Sequence, residues 1–316
     1  MSSERSIIAE RIGKLDHCQR RLGSDAVEPI LVEATRGELV EARHLVHAVA
    51  VEAGKVVEAA GDPGLVTYLR SSAKPIQALL IVRARPDLTD PEVAIACASH
   101  LARPEQLEPV RSLLAKAPAR EDELECDTGP SRIEHNCSGK HAAMLALCRA
   151  RGWPSDGYRL ASHPCQHAML SEVAAASDVE PEAIPTAIDG CGVLTFALPL
   201  ERMAYAFSRV PDLGGGGRVA AAMRAHPELI RGPRAADTML MEALPGWIAK
   251  GGAEGLLCAS SPDGLGIALK VEDGNTRAVR SALAAFLGRV GLETGDLGVV
   301  TVENSRGESV GELRAV

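Results

Sequence analysis

Polar and apolar residues alternate from Pro29 to Thr35, Leu39 to Val51 and Lys55 to Ala60, the period-two pattern of valine-rich, half-buried strands. Gly37 and Gly54 fall between these runs, where turns favour residues free to adopt positive φ. Three such runs in succession predict an antiparallel meander, not a strand–helix–strand unit. The period then changes. A helix is predicted to open near Ser71 and run through Gln77, Leu79 and Leu80, because Pro75 is tolerated only in a first turn, where no N–H bond is lost. After the apolar stretch from Val93 to Ser99, a helix from Pro104 to Lys116 aligns Leu107, Val110, Leu113 and Leu114 on one face. A loop from Glu121 to Arg132 precedes helices over His141 to Ala150, Gln166 to Ala176, Pro199 to Arg209, Gly217 to Ala225 and Asp237 to Leu244. Strands return at Gly255 to Ala259, Gly266 to Val271 and Leu297 to Val302, with a long helix from Thr276 to Val290 between the last two.

The order strands, helices, strands predicts an α/β sandwich: one antiparallel sheet completed by both ends of the chain, flanked by helices, with a helical block inserted at about residues 100–250. Residues 28–316 form a single domain in this reading, and residues 1–27 an N-terminal extension with Ile7, Ile8, Ile12 and Leu15 along one helical face. That extension has no apolar signal core, and no run approaches the ~18–20 apolar residues of a membrane span. A cytoplasmic location is therefore expected. A net charge of −8, with no basic stripe, excludes nucleic acid and anionic membranes as partners. Only 3% of residues are aromatic, so the core must be built of Ala, Val, Leu and Ile. The eight cysteines lack a disulfide-framework spacing and are expected to be reduced thiols.

Three stretches carry candidate chemistry. In Arg70-Ser71-Ser72-Ala73-Lys74-Pro75-Ile76-Gln77, Ser71 and Lys74 lie three residues apart on one helical face, about 5–6 Å between Cβ atoms. A neutral amine at that reach can take the hydroxyl proton, and the helix N-terminus favours the charge that develops. A plain Ser N-cap would give the same string. Ser72, two residues from Lys74, would not face it. The second stretch is His135-Asn136-Cys137-Ser138-Gly139-Lys140-His141, a dense polar cluster ahead of an apolar helix. It is not a phosphate-binding loop, since Glu134 stands where that motif needs Gly and His141 where it needs Ser or Thr. The third, Asp189-Gly190-Cys191-Gly192, is a glycine-flanked turn. Cys137 and Cys191 with His135 or His141 would suit a metal, or could be two buried thiols.

Together with Cys97-Ala98-Ser99-His100 and Gly266-Ile267-Ala268-Leu269-Lys270, these strings resemble the Rhizobium-type, thermolabile L-asparaginases, in order from about Pro29 to the C-terminus. The resemblance implies a serine-dependent amidohydrolase acting on L-asparagine, with a fold similar to serine β-lactamases and glutaminases. It implies two Ser-Lys pairs, Ser71 with Lys74 and Ser99 with Lys270. It also implies a zinc site of Cys137, Lys140 and Cys191, with Arg70, His141 and Asp189 lining the same pocket, and a homodimer. Burial beside a second ammonium would lower a lysine's pKa and leave it a base. Lys250, in Lys250-Gly251-Gly252, is the alternative to Lys270 for the second pair. Two other functions stay open on the residues alone: a β-lactamase or penicillin-binding type of acyl transfer, and a zinc-binding protein without catalysis.

Overall fold

The computed structural model describes residues 27–129 and 131–316; the expected N-terminal helix and Cys18 lie outside the described residues. Strands β1 (Ile30–Arg36), β2 (Leu39–Glu52) and β3 (Lys55–Ala60) form the expected meander. Along β1, Ile30, Val32 and Ala34 are buried and the residues between them are not, as the alternation requires. The β2–β3 turn is the two-residue pair Ala53 and Gly54, at φ 48° and 77°; both positive values suit the twist of a tight hairpin.

After β4 (Val66–Tyr68) the helical block contains α1 (Lys74–Ala84), α2 (Asp90–Ala96), α3 (Pro104–Lys116), α4 (Ser138–Arg151) and α5 (Pro164–Ser177). It continues through β5 (Thr186–Ile188), β6 (Leu194–Pro199), α6 (Leu200–Arg209), α7 (Gly216–Ala225), α8 (Pro227–Ile230) and α9 (Ala236–Ala243). The C-terminal part supplies β7 (Ile248–Gly251), β8 (Leu256–Ser260), β9 (Gly266–Val271), α10 (Val279–Arg289), β10 (Val300–Glu303) and β11 (Ser309–Ala315).

The large sheet runs β10-β11-β1-β2-β9-β8-β7, with β3 beside the second half of β2, and every pairing is antiparallel. Both ends of the chain therefore complete one sheet, as the pattern predicts. The helical block is inserted between them, and α6 lies across β2, β8 and β9 while α10 covers β1 and β11 on the other face. Gly266 allows the close approach of α6, since a Cβ there would stand 1.9 Å from the Ala204 carbonyl oxygen. A second, small sheet, β4-β6-β5, was not foreseen from the pattern. Its strands β4 and β5 have three residues each, too short to show a period. The stretch from Val93 to Ser99 is shared between α2, capped by Thr89 and Glu92, and an irregular segment that delivers Ser99.

Helix α4 is buried from Ser138 to Cys148, surrounded by α1, α2 and α3, and so lacks a polar stripe over that length. Among the described residues no helix is long and apolar enough to cross a membrane.

Candidate active site

The site is built where β4 turns into α1. The Leu69 N–H donates to the Phe196 carbonyl of β6 at 2.8 Å, which holds the end of β4 on the small sheet. Arg70 then takes φ 48°, a region costly for any residue with a Cβ, and its N–H donates to Thr195 Oγ1 at 3.0 Å. That reversal starts a 3₁₀ turn, Arg70–Ala73, which runs into α1 with Pro75 in its first turn. Ser71 is left half-buried at the head of the turn, and its hydroxyl makes no hydrogen bond among the described residues. Ser72 is buried and donates to the Lys250 carbonyl at 2.8 Å, so it points to β7, away from any role beside Lys74.

Lys74 is 1% exposed, one turn after Ser71. Its ammonium donates to the Ala98 carbonyl and, at 3.0 Å, to Ser99 Oγ. Burial is the main cause that lowers its pKa, and Lys140 nearby lowers it further, against the pull of Cys137. The expected pairing of Ser99 with Lys270 is corrected here: Ser99 is held by Lys74. The Lys270 amine bonds the Val271 carbonyl and sits among the charges of Glu254, Asp273 and Glu272. It lies on β9 opposite His47 of β2, near Glu254, the carboxylate that also stands 3.9 Å from Arg70.

The second lysine of the cluster is Lys250, on β7. It is fully buried, its Nζ donates to the Gly251 carbonyl at 2.6 Å, and it lies 3.5 Å from Asp237 Oδ2. Burial first, and Lys74 among its neighbours, push its pKa down to about 8, although Asp237 pulls upward. Asp237 also accepts from the Gly251 N–H at 2.9 Å and the Thr238 N–H at 3.1 Å, which fixes its carboxylate against β7. Lys250 was visible in the sequence only as an alternative, and Asp237 and Thr195 not at all. A carboxylate meeting a lysine from another element leaves no spacing to read.

A third lysine, Lys140, is buried at the start of α4, with Nζ 3.0 Å from Cys191 Sγ. Burial opposes its charge, but Cys191, Cys137 and Asp189 together raise its pKa. Cys137 hydrogen-bonds Cys191, and that bond, aided by Lys74 and Lys140, holds its thiol well below the usual range. Two sulfurs and an amine thus converge at the start of α4. Among the described residues no group of three or more His, Cys, Asp or Glu is placed to hold a metal. His141 is excluded as third ligand at Nδ1, which pairs with the Tyr158 hydroxyl at 2.7 Å; its Nε2 is buried without a hydrogen-bond partner. Burial keeps this imidazole neutral. The seven described cysteines are all free and buried.

Gly139 makes this approach of α4 possible, because a Cβ there would stand 2.3 Å from the Ile95 carbonyl oxygen. At the mouth, Arg70 Nε donates to Asp189 Oδ1 at 2.7 Å, with Glu254 3.9 Å away. The β4–α1 turn, the segment after α2, the start of α4, the β5–β6 turn and β7 therefore bring Ser71, Lys74, Ser99, Lys250, Lys140, Cys137, Cys191, Arg70 and Asp189 to one place.

Comparison with solved structures finds similarity to Mglu in its native form, at 13% identity over 79% of this chain and 66% of that one, with a TM-score of 0.45. It also finds a probable glutaminase from Bacillus subtilis complexed with 6-diazo-5-oxo-L-norleucine, at 15% identity over 78% and 85%, with a TM-score of 0.37. The chain spans just under two thirds of the Mglu chain. No curated protein matches it. The family model of L-asparaginase II matches residues 32–315, which takes in every residue of the site just described. The chain belongs to the L-asparaginase II family.

Proposed function

We propose that the protein hydrolyses L-asparagine to L-aspartate and ammonia through Ser71, Lys74 and Lys250. The observation that supports this most is Lys74: a fully enclosed amine with lowered basicity, one turn after a half-buried serine and 3.0 Å from a second hydroxyl. In the reaction, Ser71 Oγ attacks the side-chain amide carbon while its proton passes to neutral Lys74. Backbone N–H groups at the head of α1 and along the adjoining strand hold the oxyanion. The proton on Lys74 then goes to the amide nitrogen, ammonia leaves, and an ester to Ser71 remains. Water opens the ester, its proton taken by Lys250 or by Lys74 through Ser99 and returned to Ser71 Oγ as aspartate leaves. Lys250 replaces Lys270 in this scheme because it alone of the two adjoins Lys74.

The Arg70–Asp189 pair offers one positive and one negative group to the carboxylate and amino group of an amino acid. Zinc, if bound, would be held by Cys137, Lys140 and Cys191, where it would polarise a substrate group or water. Lys140 would have to lose its proton first, since in the metal-free arrangement the thiol charges favour its ammonium.

The test is ammonia release across asparagine, glutamine and small amides, with and without zinc. Turnover should be fastest on asparagine, and Ser71→Ala should abolish it while the circular dichroism spectrum is unchanged. Turnover by the Ser71→Ala protein at an undiminished rate would end the nucleophile assignment.

A further inference from the structure

We propose that the protein has a second ligand site, an arginine-lined cavity beside β7, that binds a multiply charged oxyanion of the phosphate type. The cavity, of about 270 Å³, lies between the segment leading into α9, the β7–β8 connection and the first turn of α10. Its walls include four arginines, Arg231, Arg234, Arg277 and Arg280, and one carboxylate, Asp237. Asp237 is already committed to Gly251, Thr238 and Lys250. None of the four guanidinium groups makes an ion pair with a carboxylate among the described residues.

Two of the four are fixed in advance. Arg280 donates to the carbonyls of Leu297 at 3.1 Å, Asp296 at 3.3 Å and Val299 at 2.8 Å. Arg277 Nε donates to His44 Nε2 at 3.0 Å, and His44 Nδ1 is engaged by Asp273 at 2.7 Å. Such anchoring reduces the ordering cost of binding. Burial and the charge of Arg234 both depress Arg280 below the usual guanidinium range, so the two cations bear on one another uncompensated. Arg234 itself is held at φ 66°, a conformation that residues with a Cβ adopt at a cost.

Guanidinium forks match tetrahedral oxyanions through paired N–H bonds. A single carboxylate would balance one of four charges; a phosphoryl group balances about two at neutral pH. The volume is close to the lower end of small-molecule sites, about 300 Å³, so a phosphoryl group with a small organic residue attached fits as well as free phosphate does.

The experiment uses the full chain in an amine buffer, titrated with inorganic phosphate, with glycerol 3-phosphate, and with sodium chloride at matched ionic strength. Thermal unfolding and calorimetry are the readouts. Neither depends on asparagine being the substrate, so failure here is separable from failure of the catalytic reading. Saturable stabilisation by one or both phosphates, absent with chloride, is expected. The double variant Arg234→Gln/Arg277→Gln, altered at two exposed side chains outside the catalytic cluster, should bind at least about tenfold more weakly, the loss of one good charge-assisted contact. Tighter binding of glycerol 3-phosphate assigns the site to a phosphorylated small molecule, and tighter binding of phosphate assigns it to the free ion. No saturable response to either, or an unchanged Kd in the double variant, would overturn the proposal.

Discussion

Replacing Asp237 by Asn tests the lysine chemistry without touching a reacting group. The carboxylate oxygen lies 3.5 Å from Lys250 Nζ and is the chief attraction that favours its ammonium form against burial. At an effective dielectric constant of about 20, two unit charges at that separation interact by about 4–5 kcal/mol, equivalent to about 3 pH units at 1.36 kcal/mol each. Measured shifts from a neighbouring opposite charge run at about 1–3 units, and the lower part of that range is apt here because Asp237 also accepts two backbone N–H bonds. Asn keeps an acceptor for Gly251, so the fold should persist. The sign follows from the base: Lys250 works neutral, with a pKa of about 8, so kcat should rise as pH passes through that value. Loss of the carboxylate makes the ammonium harder to form, and the acid limb of the kcat–pH profile should move down by about 1–2 units. Steady-state ammonia release from pH 5 to 10 measures it. A limb that stays in place, or moves up, would refute the assignment of Lys250 as a base.

Lys74→Met should lower kcat by about 10²–10⁴-fold with a normal melting profile, because the substitution keeps the buried volume. Thr195→Val removes the acceptor of the Arg70 N–H and should cost about 1–3 kcal/mol, read by urea unfolding, together with a fall in kcat. Gly139→Ala places a methyl 2.3 Å from the Ile95 carbonyl oxygen and should destabilise by about 1–3 kcal/mol; an unchanged midpoint would show that α2 and α4 separate freely. Cys137→Ser should reduce zinc bound per chain, measured by mass spectrometry after metal loading, and should leave metal-free stability nearly unchanged.

The local pattern alone determined the meander β1–β3, the strand at Gly266–Val271, most helices, and the placement of Ser71 and Lys74 one turn apart, because these depend on residues within a few positions of one another. It also marked the polar cluster around Cys137 and Lys140 and the glycine-flanked turn at Cys191, but not that Lys140 lies inside helix α4 with all three side chains buried. The partner of Ser99 was decided only by the tertiary structure. Lys250 and Lys270 are both lysines in apolar strands of the same sheet, and only the folded chain sets Lys250 against Asp237 and within the influence of the Lys74 charge. Asp237 reaches Lys250 from α9, and Thr195 reaches Arg70 from β6, across sequence separations that no periodicity spans. The chain's order of apolar residues sets which elements form; the burial of three amines together, and the basicity that follows, exists only once those elements exclude water from the space between them.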